Sequence, residues 1–196
     1  MQPGNGNNIT RLESRLYLDE LVKLHSKTFK DVLSGQIGRY FLKYYYKRII
    51  ETGIIYAYVK NGSLCGFVSG IKNDDTLYNI KYYFWAGFGV LSHIYSPAVV
   101  KSLFRHLKRA KSFSNITIKP ELLSIVVRED MRGKGIGISL VSALEKYFRE
   151  MEVNTYKVYT DTLYSTGMHL YEKLGFKLLR EVNLYGLPLR LYFKNL

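Results

Sequence analysis

The chain has 196 residues, enough for one domain with a sizeable core, and 47% of them are hydrophobic, which excludes extended disorder. Its formal net charge of +13 attracts anions but does not choose between nucleic acid, a membrane surface and phosphorylated small molecules. The single cysteine, Cys65, excludes an internal disulfide framework, and its apolar neighbours indicate a core residue.

Targeting and metal signals are missing from the sequence. The N-terminus lacks the charged and then apolar pattern of a signal peptide, and no stretch reaches the roughly 18 apolar residues of a membrane helix. We therefore expect a cytoplasmic protein. No metal is expected either, because none of the four histidines has a suitably spaced partner with a third ligand nearby.

The N-terminal part predicts a short strand led by Ile9, followed by two helices. Apolar residues recur at helical spacing over 16–25 and again over 40–50, and Gly53 ends the second helix.

A hairpin follows these helices. Residues 54–60 and 63–71 are rich in β-branched and aromatic side chains, and the dipeptide Asn61-Gly62 between them is a strong hairpin signal.

Residues 76–120 differ from the rest, since they contain no carboxylate, seven basic residues and many aromatic ones. Pro97 opens the second of two predicted helices, which spans 98–111. This composition is also seen in interfacial helices, so 76–111 could form a basic membrane-surface or nucleic-acid-associated binding module. We favour the alternative, a helical insertion that covers the domain's own core.

The second half predicts alternating strands and helices. A nearly continuous apolar run over 121–127 is typical of a strand buried on both faces. A loop over 128–131 and a glycine-rich turn lead into a helix over 136–151, whose polar side chains are expected to face water. This water-facing set comprises Glu145, Lys146, Arg149 and Glu150.

The C-terminal part predicts a strand over 157–160 and a helix capped by Ser165 or Thr166. Two further strands are expected over 176–182 and 189–193.

The turn Arg132-Gly133-Lys134-Gly135-Ile136-Gly137 has the features of a phosphate site. Backbone N–H groups converge at the start of a helix, where the dipole favours an anion, and glycines let the backbone approach closely. Arg132 and Lys134 add positive charge at the rim. Neither the Walker pattern nor the dinucleotide pattern G-x-G-x-x-G fits, whereas Arg-x-x-Gly-x-Gly does.

Three segments together resemble the GNAT superfamily of N-acetyltransferases. They are the strand Glu-Leu-Leu-Ser-Ile-Val-Val at 121–127, the glycine turn, and Leu-Tyr-Glu-Lys-Leu-Gly-Phe at 170–176. The resemblance implies an α/β (α+β) fold in which helices flank a mixed, mostly antiparallel sheet, with a helical insertion between strands 3 and 4. It implies a single domain over 1–196: N-terminal helices and hairpin (8–75), insertion (76–118) and cofactor-binding half (119–196).

The same resemblance implies acetyl-CoA as the acyl donor and assigns roles to individual residues. The pantetheine arm would pair with the backbone of Ile125, Val126 and Val127. The pyrophosphate would bind the N–H groups of residues 132–137, which are Arg132, Gly133, Lys134, Gly135, Ile136 and Gly137. Tyr171 would protonate the departing thiolate, and Glu121 would act as the general base.

The resemblance implies an amine acceptor, with an amino sugar as the leading candidate and a protein N-terminus, a polyamine or a small amine as alternatives. The positive charge beyond the needs of the cofactor favours an acceptor that carries phosphate or carboxylate. His25 is a more distant candidate base, because N-terminal helices wall the acceptor site in such enzymes. The family's usual asparagine and alanine are replaced here by Tyr164 and Gly167, which puts one cofactor contact in doubt. Nucleic acid is not an expected partner, peripheral membrane contact is not favoured, and a homodimer is left open.

Overall fold

Seven strands and four α-helices make up the part of the chain that the computed structural model describes, residues 9–13, 15–29, 36–73, 115–161, 165–184 and 187–196. In chain order they are β1 (Ile9–Arg11), α1 (Leu18–Thr28), α2 (Gln36–Thr52), β2 (Ile54–Lys60), β3 (Ser63–Ile71), β4 (Glu121–Val127), α3 (Ile136–Glu150), β5 (Thr155–Asp161), α4 (Ser165–Lys173), β6 (Lys177–Leu184) and β7 (Leu187–Asn195).

All seven strands belong to one sheet in the order β1-β2-β3-β4-β5-β7-β6. Every neighbouring pair is antiparallel except β4 and β5, which run parallel. A parallel pair needs a crossover, and α3 supplies it. The predicted mixed, mostly antiparallel sheet with flanking helices is therefore confirmed.

The sheet separates two apolar clusters. One cluster joins α3 and Tyr171 of α4 to inward-facing residues such as Val68, Leu122 and Tyr156. The other joins α1 and α2 to residues such as Phe67 and Ile71. Successive side chains of a strand point to opposite faces, so membership of a cluster identifies the face on which a strand residue lies.

The β2–β3 hairpin was predicted to the residue. Asn61 and Gly62 have φ angles of 51° and 74°, and positive φ at both central positions is the combination that suits a two-residue hairpin turn. A bulge between Tyr58 and Val59 leaves Cys65 without a partner in the register. Cys65 is buried in the α3 cluster, which confirms it as a core residue.

Helix α3 differs from its prediction on its polar side. Glu145 was expected to face water, but it is buried. Its carboxylate accepts hydrogen bonds from the Tyr156 hydroxyl at 2.7 Å and from the Lys194 ammonium at 2.6 Å. Burial, and then the bond to Glu145, raise the pKa of Tyr156 above its usual range. The group ties α3 to β5 and β7 and satisfies a charge that would otherwise be costly to bury.

Several boundaries also differ from the predictions. Residues 129–131 form one turn of 3₁₀ helix within the predicted loop. Helix α4 begins at Ser165, so both predicted cap residues, Ser165 and Thr166, fall within the helix and not at the position before it. Both C-terminal strands are longer than expected, and Pro188 lies inside β7.

The predicted helical insertion lies largely outside the described residues, which include none between 74 and 114. Within the described ranges, no helix is both long enough and apolar enough to span a bilayer.

Removing the Tyr156 hydroxyl should destabilise the fold. Tyr156→Phe leaves the buried Glu145 carboxylate with one donor fewer, and a hydrogen bond to a charged group contributes roughly 1.5–3 kcal/mol. Urea unfolding should show this loss in the free energy of unfolding. Tyr147→Phe is the control, because Tyr147 is a half-buried tyrosine on α3, the helix that carries Glu145. Equal stability of the two variants would contradict the role given to Glu145.

Candidate active site

Strands β4 and β5 pair at only two positions and then separate. The paired residues are Glu121 with Lys157 and Leu122 with Val158. Beyond them β4 continues to pair with β3 through Val127, while β5 continues to pair with β7 through Asp161. Within the described ranges, the facing edges of β4 and β5 therefore open into a wedge that no strand fills.

A bulge in β4 accounts for the separation. The register with β3 shifts between Ser69 and Gly70, which leaves Leu123 as an extra residue. A bulge bends its strand and increases its twist, so the second half of β4 turns away from β5. The prediction that 121–127 is buried on both faces is wrong for this half, because Leu123, Ser124, Ile125 and Val127 are only half-buried.

The glycine turn lies at the C-terminal end of β4. Gly133 and Gly135 have φ angles of +74° and +76°, and a Cβ atom would meet nothing within 4 Å of either. Glycine is thus needed there for the backbone conformation, since other residues are strained at positive φ. Gly135 precedes α3, whose first N–H groups have no acceptor inside the helix. Several donors therefore converge beside the wedge.

Gly137 differs from these two glycines. It lies within α3, where a Cβ atom would be 3.5 Å from Leu170 and 3.9 Å from Ile125, both ordinary contact distances. The interior position therefore tolerates a small side chain. Ile136 beside it is buried in the α3 cluster and anchors the start of the helix.

The basic side chains of the turn bind neighbouring backbone. The Arg132 Nε donates to the Val127 carbonyl at 3.1 Å, and the Lys134 ammonium donates to the Asp130 carbonyl at 2.9 Å. Arg128 binds both carboxylate oxygens of Asp130, and this bond lowers the pKa of Asp130. A guanidinium has five N–H donors, so Arg132 keeps others for a ligand.

Tyr171 lies on α4 and is buried in the α3 cluster. Its ring packs against Phe176 and Tyr192, with centroids 5.3 and 6.2 Å away. Gly167 faces Thr160 of β5 and the Tyr171 ring, which places α4 next to the strand that borders the wedge. Burial raises the pKa of Tyr171 above its usual value, so the phenol holds its proton at neutral pH.

Glu121 is the first residue of β4 and lies on the face of the sheet opposite to Tyr171. Its partners in the register are Ile71, which belongs to the α1–α2 cluster, and Lys157. Glu121 is 1% exposed and Lys157 is 3% exposed. The Lys157 ammonium donates to the Ile118 carbonyl at 2.6 Å. Lys157, the residue that directly faces Glu121 in the register between β4 and β5, is therefore a buried cation.

Two serines on the same face were missed from the sequence. Ser69 of β3 and Ser124 of β4 are partners in the register at the bulge. Ser69 alternates with Phe67 and Ile71 of the α1–α2 cluster, whereas Gly70 faces Leu144 of α3. The available signal was a lone serine within each apolar strand.

His25 of α1 is buried and shares a 2.7 Å hydrogen bond with the Tyr46 hydroxyl of α2. Burial lowers its pKa to about 4, so the ring is neutral at neutral pH. The bond joins the two N-terminal helices. A role for His25 as a base stays a prediction.

Two predicted features cannot be located. The basic segment 76–111 and Tyr164 lie outside the described residues. The described residues contain no group of three or more histidine, cysteine, aspartate or glutamate side chains that could hold a metal ion.

Solved structures share this architecture at low sequence identity. A ribosomal-protein-alanine N-acetyltransferase from Brucella melitensis is 16% identical, with a TM-score of 0.61 over 96% of this chain and 99% of that chain. Ard1 from Thermoplasma volcanium is 16% identical, with a TM-score of 0.61 over 96% and 98%. An N-acetyltransferase from Staphylococcus aureus Mu50 is 15% identical, with a TM-score of 0.57 over 95% and 96%. No curated protein matches the chain.

The sequence itself matches the family model described as the acetyltransferase (GNAT) family over residues 18–176. That range begins with α1, contains the wedge, the glycine turn and α4, and ends just before β6. The chain therefore belongs to the GNAT family, whose members transfer an acetyl group from acetyl-CoA.

Proposed function

We propose that this protein transfers the acetyl group of acetyl-CoA to the amine of a small molecule by direct attack, without a covalent enzyme intermediate. The observation that carries the proposal is the wedge between β4 and β5, which opens beside the glycine turn at the start of α3. A strand edge and a cluster of helix N–H donors side by side suit a ligand with an amide-bearing arm and a pyrophosphate.

The cofactor would bind along these two features. The pantetheine amides would pair with the backbone of Ile125, Val126 and Val127, as an added strand does. The pyrophosphate would accept hydrogen bonds from the N–H groups of Arg132, Gly133, Lys134, Gly135, Ile136 and Gly137. Arg132 and Lys134 would add charge-assisted contacts at the exposed rim.

The acetyl group would then lie where β4 leaves β5. A β4 backbone N–H that faces the wedge would polarise the acetyl carbonyl and stabilise the oxyanion that forms during attack. The bulge at Leu123 supports this role, because it turns the strand edge into the open space.

The two proton transfers would use opposite faces of the sheet. Glu121, on the face of α1 and α2, would remove a proton from the attacking ammonium. Tyr171, on the face of α3, would give a proton to the departing thiolate of CoA. The phenol would enter the reaction protonated, as a proton donor must, and its position beside the wedge-lining strand β5 supports the assignment. Proton entry and exit would thus be separated by the sheet.

The acceptor is proposed to be a sugar-linked amine. The excess of 29 basic over 16 acidic residues favours an acceptor that also carries phosphate or carboxylate. Thiol release from acetyl-CoA, measured across amines that include nucleotide-linked amino sugars, tests the acceptor class. Turnover of simple alkylamines alone would contradict it.

Gly135→Glu should weaken acetyl-CoA binding about 10- to 100-fold, because it places a negative charge among the pyrophosphate donors. Isothermal titration calorimetry measures the change in Kd. Gly62→Glu is the control for backbone strain, because Gly62 has a similar φ of +74° and equally open surroundings in the β2–β3 turn. Equal affinity of the two variants would remove the turn from the cofactor site.

Tyr171→Phe should lower kcat by about 10²-fold, because the thiolate would leave without its proton donor. The Kd for acetyl-CoA should stay unchanged. Tyr192→Phe is the control, since its ring belongs to the same buried cluster. If Tyr171→Phe retains the wild-type kcat, the phenol is only a packing residue.

Glu121→Gln should lower kcat/KM by about 10²-fold at neutral pH, because no carboxylate removes the proton of the acceptor. The loss should shrink at alkaline pH, where the amine deprotonates in solution. Glu129→Gln, at an exposed position beside β4, is the control. A loss that does not depend on pH would assign Glu121 a structural role.

A further inference from the structure

A buried hydroxyl on the α1–α2 face of the sheet has no hydrogen-bond partner in the described part of the chain. The Oγ atom of Ser69 is enclosed and makes no hydrogen bond among the described residues. Ser69 itself is 0% exposed. A buried polar group left unpaired destabilises the folded protein. Alanine would fill the same place without that cost, so the hydroxyl calls for a function.

The position of Ser69 relates it to the proposed acceptor site. Its register partner is Ser124, a half-buried residue next to the bulge in β4. Two residues further along β3, Ile71 is the partner of Glu121. Ile71 belongs to the α1–α2 cluster, and its register with Glu121 places Glu121 on the same face. Alternation along β3 places Ser69 on that face as well.

The spacing suits one small molecule. Residues i and i+2 of a strand are about 7 Å apart, so Glu121, the register partner of Ile71, lies about one such step from the pair formed by Ser69 and Ser124. A ligand whose amine lies at Glu121 can therefore present a second polar group to the two serines. Serine hydroxyls both donate and accept, which matches a hydroxyl group of the ligand.

We propose that Ser69 and Ser124 bind a hydroxyl of the acceptor, and that the acceptor is a hydroxylated amine. This inference rests on the proposed function and names the residues that would select its substrate. The acceptor supplies the partner that the Ser69 hydroxyl lacks among the described residues. A site built around such a hydroxyl discriminates strongly against an amine that lacks it.

The test compares paired amines that differ by one hydroxyl. Glucosamine is paired with its 3-deoxy analogue, and 2-aminocyclohexanol with cyclohexylamine. Thiol release gives kcat/KM for each, and the ratio within a pair is the measured preference. Comparing this ratio between variants cancels the intrinsic reactivity of each amine.

Ser69→Ala should lower the preference about tenfold, the change expected when one hydrogen bond to the ligand is lost. Ser124→Ala should lower it in the same direction. The Kd for acetyl-CoA should be unchanged, and Ser69→Ala should unfold at the same or higher temperature, because an unpaired buried hydroxyl is removed. Ser26→Ala is the matched control, since Ser26 on α1 also has a buried, unpartnered hydroxyl. It should retain the wild-type preference.

Two results would overturn the proposal. The first is equal rates within both pairs for the wild-type protein, including no transfer to any of the four amines. The second is a preference that Ser69→Ala leaves intact, whether the rates stay the same or fall equally for both members of a pair. Failure of acetyl-CoA to bind the wild-type protein is a separate outcome, because it removes the proposed function itself.

Discussion

The candidate site depends on how far two parallel strands stay together. Strands β4 and β5 share two rungs, Glu121–Lys157 and Leu122–Val158, and then part. Each strand remains paired on its other side, so the wedge is held open by regular sheet and not by loops. A bulge that adds one residue to β4 is enough to redirect the strand. Backbone hydrogen bonds are lost only along the facing edges of β4 and β5, where a ligand can form them instead.

The sheet also divides the chemistry between its two faces. On one side are the start of α3 and the buried phenol of Tyr171. On the other side are Glu121 and the serine pair, beneath α1 and α2. In the proposed reaction, a donor and an acceptor would approach from different faces and meet at the wedge. This arrangement would favour direct transfer, since neither reactant would have to pass the other.

The sequence predicted those parts of the fold that local residues determine. Strands β2, β3 and β4 were bounded correctly because strand-forming residues end at a strong turn signal or follow a proline. The glycine turn was recognisable because positive φ at Gly133 and Gly135 requires glycine. The burial of Glu145 was missed because its main partner, Lys194, lies 49 residues away in the sequence.

The polar residues of the α1–α2 face were hidden for a related reason. Ser69 and Ser124 lie in apolar runs that read as ordinary core strands, and only the register at the bulge brings them together. The burial of Glu121 likewise depends on its neighbours across two strands. Residues that act through contacts between strands cannot be found from spacing along one strand. The glycine turn is one continuous segment, and for that reason its conformation could be predicted from the sequence.

The position of the last strand has a consequence for how the sheet opens. Strand β7 lies between β5 and β6, so β6 is attached to the sheet only through β7. Breaking the β5–β7 ladder together with the Lys194–Glu145 contact therefore releases both strands as a hairpin, which is the kind of cooperative unit that opens below the global unfolding energy. Tyr192 would leave with it and remove one wall of the pocket around Tyr171. The acid of the proposed reaction is thus only as rigid as a two-stranded unit at the border of the sheet.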